Sequence, residues 1–186
     1  INEIINGDIH TANQRLAGLQ SRDSAKTFIY ALIYGAGDEK IGSIIGGSRE
    51  EGKRMRERFL DSLPAFKSLK ARIDGAAQRG FLKGLDGRRI HLRHKHAALN
   101  TLLQGGGAIV MKRALIILND KLLLNTVPYK FVANIHDEWQ IETTEKHANF
   151  VGEMGVESIR ETANYYNMRC PLDAEYRIGG DWSETH

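Results

Sequence analysis

Two sets of side chains in this sequence have the types and spacing to do chemistry. One is Asp137-Glu138, adjacent carboxylates preceded by His136. Neighbouring acids at a tight bend repel, and a divalent cation relieves the repulsion. Hard oxygens suit Mg²⁺, which usually takes one or two carboxylates and completes its shell with water and substrate phosphates. Acids are also frequent in turns for local reasons, so the pair taken alone is first a turn signal. The other set is Arg22, Lys26 and Tyr30, recurring every four residues. At about 100° per residue they share one helical stripe, while Phe28, Ile29, Leu32 and Ile33 fall towards the opposite side. Two cations and a ring in line can neutralise a polyphosphate and offer a flat surface to a base or sugar. An amphipathic helix with a solvated basic edge has the same spacing.

The elements that must hold these groups are legible around them. Tyr129 to Ile135 and Trp139 to Thr143 alternate in polarity, which predicts a β-hairpin carrying the acids at its tip. For the stripe, Ser21 or Ser24 can cap a helix start, and Gly35 and Gly37 can supply its left-handed stop. Upstream, Gly7-Asp8-Ile9-His10-Thr11 reads as a turn and cap; Asp8 is structural there, and His10 can serve either a ligand or a nearby carbonyl. Downstream, a short helix is expected over Asp38 to Gly47. Ser48 to Glu51 is a capping box opening a helix with Met55, Phe59 and Leu63 on one face, and its Lys53 to Arg58 charges form a self-paired surface. Pro64 breaks or bends it, and a further helix turns Phe66, Leu69 and Ile73 inward until Gly80 closes it.

Residues 81–93, FLKGLDGRRIHLR, predict a second hairpin turning through Asp86-Gly87. With Lys83, Arg88, Arg89, His91 and Arg93, then His94, Lys95 and His96, it is the densest basic patch, and a phosphate-backbone contact is the favoured reading. A long helix, buried on more than one side, is expected from His96 to Asn125. Asn100 and Gln104 lie one turn apart on it, just before Gly105, Gly106 and Gly107. Glycine costs about 1 kcal/mol per residue inside a helix, so three together need a reason, and close approach of another backbone is expected. A glycine-cleared surface can also donate to the minor-groove acceptors that every base pair presents. Two polar residues beside a packing cluster explain the segment equally well. A helix from Glu145 to about Tyr166 and a last strand from Leu172 to Ile178 complete the pattern.

The 186 residues, 41% of them hydrophobic and 26% charged, are enough for one good core or two small ones and typical of a globular protein. A net charge of +3 and a pI near 9.0 permit an anionic partner without requiring one. The single cysteine, Cys170, leaves no internal disulfide or multi-cysteine metal site, which fits a reducing compartment. No apolar run is expected to approach the roughly 20 residues of a membrane span. The chain starts at Ile1, not at methionine, which suggests a piece of something longer.

The run R-x-x-x-K-x-x-x-Y-x-x-x-YG at Arg22, Lys26, Tyr30, Tyr34 and Gly35 resembles motif B of the family A DNA polymerases, and RDSAKTFIYALIYGAGDEKIG resembles their bacteriophage T7-like replicative branch. GDIHT at residues 7–11 is similar to the element between motifs A and B, NTLLQGGGA to the asparagine and glutamine element before motif C, and IHDE to motif C. The terminal GGDWSETH resembles the family's C-terminus, which runs back towards the active site and gives His186 a possible role. The likeness implies an α+β fold: a helical fingers subdomain over 1–95, including the basic hairpin 81–93, then the C-terminal part of a palm over 96–186, with the acidic motif on its antiparallel hairpin.

It also implies roles. His10, Arg22, Lys26 and Tyr30 would bind the incoming deoxynucleoside triphosphate, with Lys26 also catalytic. Tyr34, Arg93, Asn100, Gln104 and His136 would contact primer-template DNA. Asp137, with its less critical neighbour Glu138, would be catalytic and ligate Mg²⁺, two ions in the complete enzyme. A tyrosine at the Tyr30 position goes in that family with ready use of dideoxynucleotides. The second metal-binding aspartate belongs to motif A, upstream of GDIHT, so a palm and thumb segment would have to supply it and the isolated chain would be inactive. A naturally split polymerase and a non-catalytic DNA-binding remnant are the alternatives. The expected setting is the cytoplasm, that of the host cell for a phage-encoded protein, with no membrane partner.

Overall fold

In the computed structural model of the chain, residues 7–185 are described; Ile1 to Asn6 and His186 lie outside them. The described residues form seven α-helices and two antiparallel hairpins, divided into two compact units, one up to Gln104 and one from Gly105 on. This is the mixed α+β pattern expected from the sequence.

The first unit starts with α1 (Ile9–Ala17), capped by Asp8, and α2 (Arg22–Ile33), capped by Ser21, whose hydroxyl accepts from the Ser24 amide. The apolar stripe of α2 is buried as its period dictates. Phe28 and Leu32 join Ala17, Ile41 and Phe59 in one core, with the Phe28 and Phe59 rings edge to face at 5.2 Å. Ile41 belongs to α3 (Asp38–Ile44) and Phe59 to α4 (Arg49–Ser62). The predicted capping box at Ser48 and Glu51 is present, both of its hydrogen bonds made.

Helices α3 and α4 approach backbone to backbone: a Cβ on Gly52 would lie 2.1 Å from the Asp38 carbonyl oxygen and 2.4 Å from the Gly42 nitrogen. Leu63 ends α4, and Pro64 occupies the first turn of α5 (Pro64–Ala77), where its missing N–H costs nothing. Phe66 and Ile73 of α5 face inward, but Leu69 is 38% exposed. At 100° per residue Leu69 lies about 60° from Phe66, at the margin of the stripe that Ile73 and Ala77 continue.

Strands β1 (Phe81–Lys83) and β2 (Arg89–His91) pair antiparallel across Gly84 to Arg88, with Gly87 left-handed at φ 84°. A 3₁₀ turn (Lys95–Ala97) then leads into α6 (Ala98–Leu124), whose first turns complete a second core of Ile73, Ala77, Leu82, Ala98 and Leu99. The stop of α2 differs from expectation. Gly35 is left-handed at φ 80°, and a Cβ there would lie 2.1 Å from the His96 carbonyl oxygen, so glycine is needed twice over. Gly37 instead has φ −73° and serves as the N-cap of α3.

In the second unit, α6 buries Ala114, Leu118 and Leu122 completely, while Ile116, Leu123 and Leu124 are exposed, so the expected burial on several sides does not hold here. Lys95–Leu124 is long and apolar enough by length and composition alone to cross a membrane, against expectation. Its Leu118 and Leu122 pack in the core of the second unit. Strands β3 (Tyr129–Ile135) and β4 (Glu138–Thr143) pair antiparallel with a bulge between Phe131 and Ala133. Trp139 and Ile141 face the core built by Leu118, Leu122, Val127 and Val151, the last from α7 (Glu145–Tyr165). The expected strand at Leu172 to Ile178 does not form; those residues lie outside regular structure.

Candidate active-site elements

The α2 stripe is presented as its spacing requires: Arg22, Lys26, Tyr30 and Tyr34 are all exposed, opposite the buried Phe28 and Leu32. The structure adds a residue that sequence reading set aside as structural. Asp8 caps α1 by accepting from the His10 amide at 3.0 Å and the Thr11 hydroxyl at 2.8 Å. It also accepts from Arg22, Nε at 2.6 Å and Nη2 at 3.3 Å. The Arg22 guanidinium, and after it the Thr11 hydroxyl, hold the Asp8 carboxyl well below the usual carboxylate range. Because α1 and α2 are joined this way, the His10 ring lies 6.3 Å from the Tyr30 ring, centroid to centroid.

Asn100 and Gln104 sit on the first turns of α6, Asn100 half-buried and Gln104 exposed. His10 Nδ1 and Asn100 Oδ1 are two of the buried side-chain atoms that find no hydrogen-bond partner among the described residues. Leaving such an atom unpaired costs about 1–3 kcal/mol, so it asks for a ligand or water. Gly107, expected to admit another backbone, would meet nothing within 4 Å of a Cβ placed there.

The basic hairpin is largely open. Arg89 lies over the Phe81 ring at 4.9 Å and Arg79 reaches it at 5.9 Å, while Arg88 pairs with Asp86 at 2.6 Å. Lys83, His91 and Arg93 are exposed, and the His94 and His96 rings stack at 5.4 Å.

In the second unit the acidic hairpin closes through a two-residue loop, His136-Asp137, with Ile135 opposite Glu138. His136 takes φ 53°, the left-handed first position that lets so short a loop follow the strand twist. Asp137 is exposed at the tip, and its carboxylate accepts no hydrogen bond from the described residues. Glu138 is the first residue of β4, half-buried, with Oε1 accepting from the Trp182 indole N–H at 2.9 Å and from the Gln140 amide. Trp139 packs in the core with its own Nε1 buried and unpartnered.

No cluster of three or more His, Cys, Asp or Glu side chains that could hold an ion occurs among the described residues. An exposed, unengaged Asp137 still fits the demand of Mg²⁺, which needs only one or two protein carboxylates.

Comparison with known proteins places this fold of helices and small hairpins in a family. The DNA polymerase family A model matches residues 4–184, and the chain belongs to that family. It stands with the T7-like phage branch. It is 43% identical to the DNA-directed DNA polymerase of Enterobacteria phage T3 over 99% of this chain and 29% of that protein. The corresponding enzyme of Escherichia phage T7 is 42% identical over the same shares. DNA polymerase I of Pseudomonas aeruginosa is 29% identical over 89% of this chain. The chain thus spans about three-tenths of the length of its phage relatives. Among solved structures, the POL domain of Pol1 from M. smegmatis, in complex with DNA primer-template and dNTP, shares the fold. Its TM-score is 0.74 at 21% identity, over 84% of this chain and 31% of that one.

Proposed function

We propose that this chain is the nucleotide-gripping and metal-holding C-terminal portion of a template-directed DNA polymerase of a phage, acting in the host cytoplasm. Residues 1–95 serve as fingers and 96–186 as the later part of the palm. The observation that carries this reading is the exposed α2 stripe with His10 beside Tyr30 and its Nδ1 unpaired, within a chain of family A sequence throughout.

In this reading Lys26 and Arg22 neutralise the triphosphate of an incoming deoxynucleotide. Arg22 is oriented by Asp8, which takes Nε and Nη2 and leaves Nη1 for phosphate. His10 supplies its free nitrogen to the same phosphates, and Tyr30 stacks on the nucleotide. Tyr34 lies near the template base, and Arg93 of the basic hairpin holds a backbone phosphate. Asn100, through its side-chain N–H₂, and Gln104 one turn on donate to the minor-groove acceptors that every base pair presents, where contacts sense a correct pair without reading sequence. His136 fixes the turn that presents Asp137, and Asp137, assisted by Glu138, would hold Mg²⁺. Two such ions, when bound, sharpen the primer 3′-hydroxyl and neutralise the charge on the transferring phosphate.

The second metal-binding aspartate comes from a polypeptide segment upstream of GDIHT, fused in one protein or contributed by a partner in a split enzyme. The chain by itself gives no primer extension. Combining it with a polypeptide carrying the upstream palm and thumb of a T7-like relative should restore extension. Asp137→Asn should lower that activity on the order of 10³-fold, since a metal ion supplies several kcal/mol of transition-state stabilisation. DNA binding that survives Asp137→Asn without extension in any combination would instead establish a non-catalytic DNA-binding remnant.

A further inference from the structure

The residues after α7 do not form a strand, yet they are pinned at successive points. Asp173 accepts from Arg160 Nε of α7 at 2.9 Å. The Tyr176 ring lies on Gly152 of α7 so closely that a Cβ there would sit 2.2 Å from Tyr176 Cδ2. Gly179 and Gly180 then make a bend closed by Glu184, whose Oε2 accepts from the Gly180 amide at 2.6 Å. A 3₁₀ turn (Trp182–Glu184) follows, capped by Asp181, which accepts from the Ser183 amide at 2.8 Å and the Ser183 hydroxyl at 2.6 Å.

This turn ends on the acidic hairpin. Trp182 Nε1 donates to Glu138 Oε1 at 2.9 Å, and the Thr185 hydroxyl donates to Gln140 Oε1 at 3.3 Å. The Gln140 amide in turn donates to Glu138. Glu138 and Gln140 alternate along β4 with Trp139 and Ile141, which pack in the core. The turn therefore grips the face of β4 that the core does not hold.

A two-stranded hairpin is only marginally stable by itself, and its tip is the first part to fray. From these contacts we infer that residues 171–185 are a strap that fixes the acidic hairpin from its outer face, with Trp182 the positioning residue that holds Glu138 and so sets where Asp137 is presented. Gly152 is the seat of the strap, because any side chain there displaces Tyr176. The inference rests on the proposed metal role of Asp137 for its consequence, but the strap itself can be tested without metal, nucleotide or DNA.

The test is amide and indole hydrogen exchange by NMR on this chain. The chain has two tryptophans, so Trp139→Phe assigns the Trp182 indole resonance. Glu138→Ala should speed exchange of the Trp182 indole proton about tenfold, whereas Glu138→Gln, which keeps an acceptor at Oε1, should leave it within about twofold. Trp182→Phe, which keeps the ring and removes the donor, should speed exchange of the Glu138 amide about tenfold, and Gly152→Ala should do the same from a distance. An indole proton indifferent to Glu138→Ala would overturn the inference. So would a Glu138 amide unchanged in a folded Trp182→Phe chain. Should Trp182→Phe disturb folding by circular dichroism, the Ala and Gln variants of Glu138 decide, since both leave Trp182 in place. Failure of the combined polypeptides to extend a primer bears on the polymerase reading alone.

Discussion

Gly107→Ala separates stability from DNA binding at a single methyl group. In a helix interior alanine is favoured over glycine by about 1 kcal/mol because glycine loses more backbone freedom on folding. That gain is realised only where the new Cβ meets nothing beyond its own helix turn, and at Gly107 no such heavy atom lies within 4 Å. The variant should therefore be more stable than the wild type by about 1 kcal/mol, a rise of about 2–4 °C in Tm for a chain of this size. Yet if the glycine surface beside Asn100 and Gln104 receives the minor groove, the methyl holds the duplex off. Primer-template binding by the combined polypeptides should then weaken on the order of tenfold, about 1.4 kcal/mol. Gly155→Ala on α7 is the control: it too meets nothing within 4 Å, so it should gain the same stability with DNA affinity unchanged. Thermal unfolding by circular dichroism and fluorescence anisotropy with a labelled primer-template read the two quantities. A Gly107→Ala protein that is stabilised and binds DNA like the wild type would refute the minor-groove role, and one that is destabilised would refute the open helix surface on which the reasoning stands.

Two further outcomes follow from the first unit. Gly52→Ala should lower stability by about 1–3 kcal/mol in chemical denaturation, because the backbone 2.1 Å from its Cβ has to move and the propensity gain is smaller than that cost, while Gly75→Ala, open on all sides, should raise stability. Asp8 should stay ionised by carbon-detected NMR below pH about 4, the ordinary carboxylate midpoint, and its titration should move up towards that midpoint in Arg22→Gln without reaching it, since the Thr11 hydroxyl and the His10 amide still hold it down. The sign follows from the lowered folded value: the unfolded chain binds more protons in acid, so the stabilisation is complete above the ordinary midpoint and is lost as pH falls through the folded one.

What the sequence made legible was local. The α2 stripe, its Ser21 cap, the Ser48–Glu51 box and both hairpins each depend on residues within one or two turns or a single loop, and all of them form. Residue type fixed less where it permits several conformations, as at Gly37, which caps a helix start although glycine equally suits a helix stop. The Leu172 to Ile178 segment shows a different failure. Its alternation of Leu172, Ala174, Tyr176 and Ile178 is the correct sign of extended chain, but extension makes a strand only with a backbone partner. Here the segment is met by Gly152 and Arg160 of a helix. Contacts across long separations left no periodic trace: Asp8 to Arg22, His10 to Tyr30, and Glu138 to Trp182, 44 residues apart.

The Asp8 contact changes how the cationic face works. An acid bonded to an arginine proposed to bind phosphate looks like competition, since it cancels charge that the ligand needs. The geometry favours orientation instead, for Asp8 takes Nε and Nη2 along one edge of the guanidinium and is itself fixed by the His10 amide and the Thr11 hydroxyl. A flexible side chain held at one edge presents its remaining N–H groups without losing further rotamer freedom when phosphate arrives. Lys26, one turn along and exposed, keeps an uncancelled charge as a compact, mobile ammonium. In the proposed reading the two cations divide the work, Lys26 attracting the triphosphate and Arg22 setting its direction, and Asp8 belongs with them because its contact with Arg22 would make that division possible.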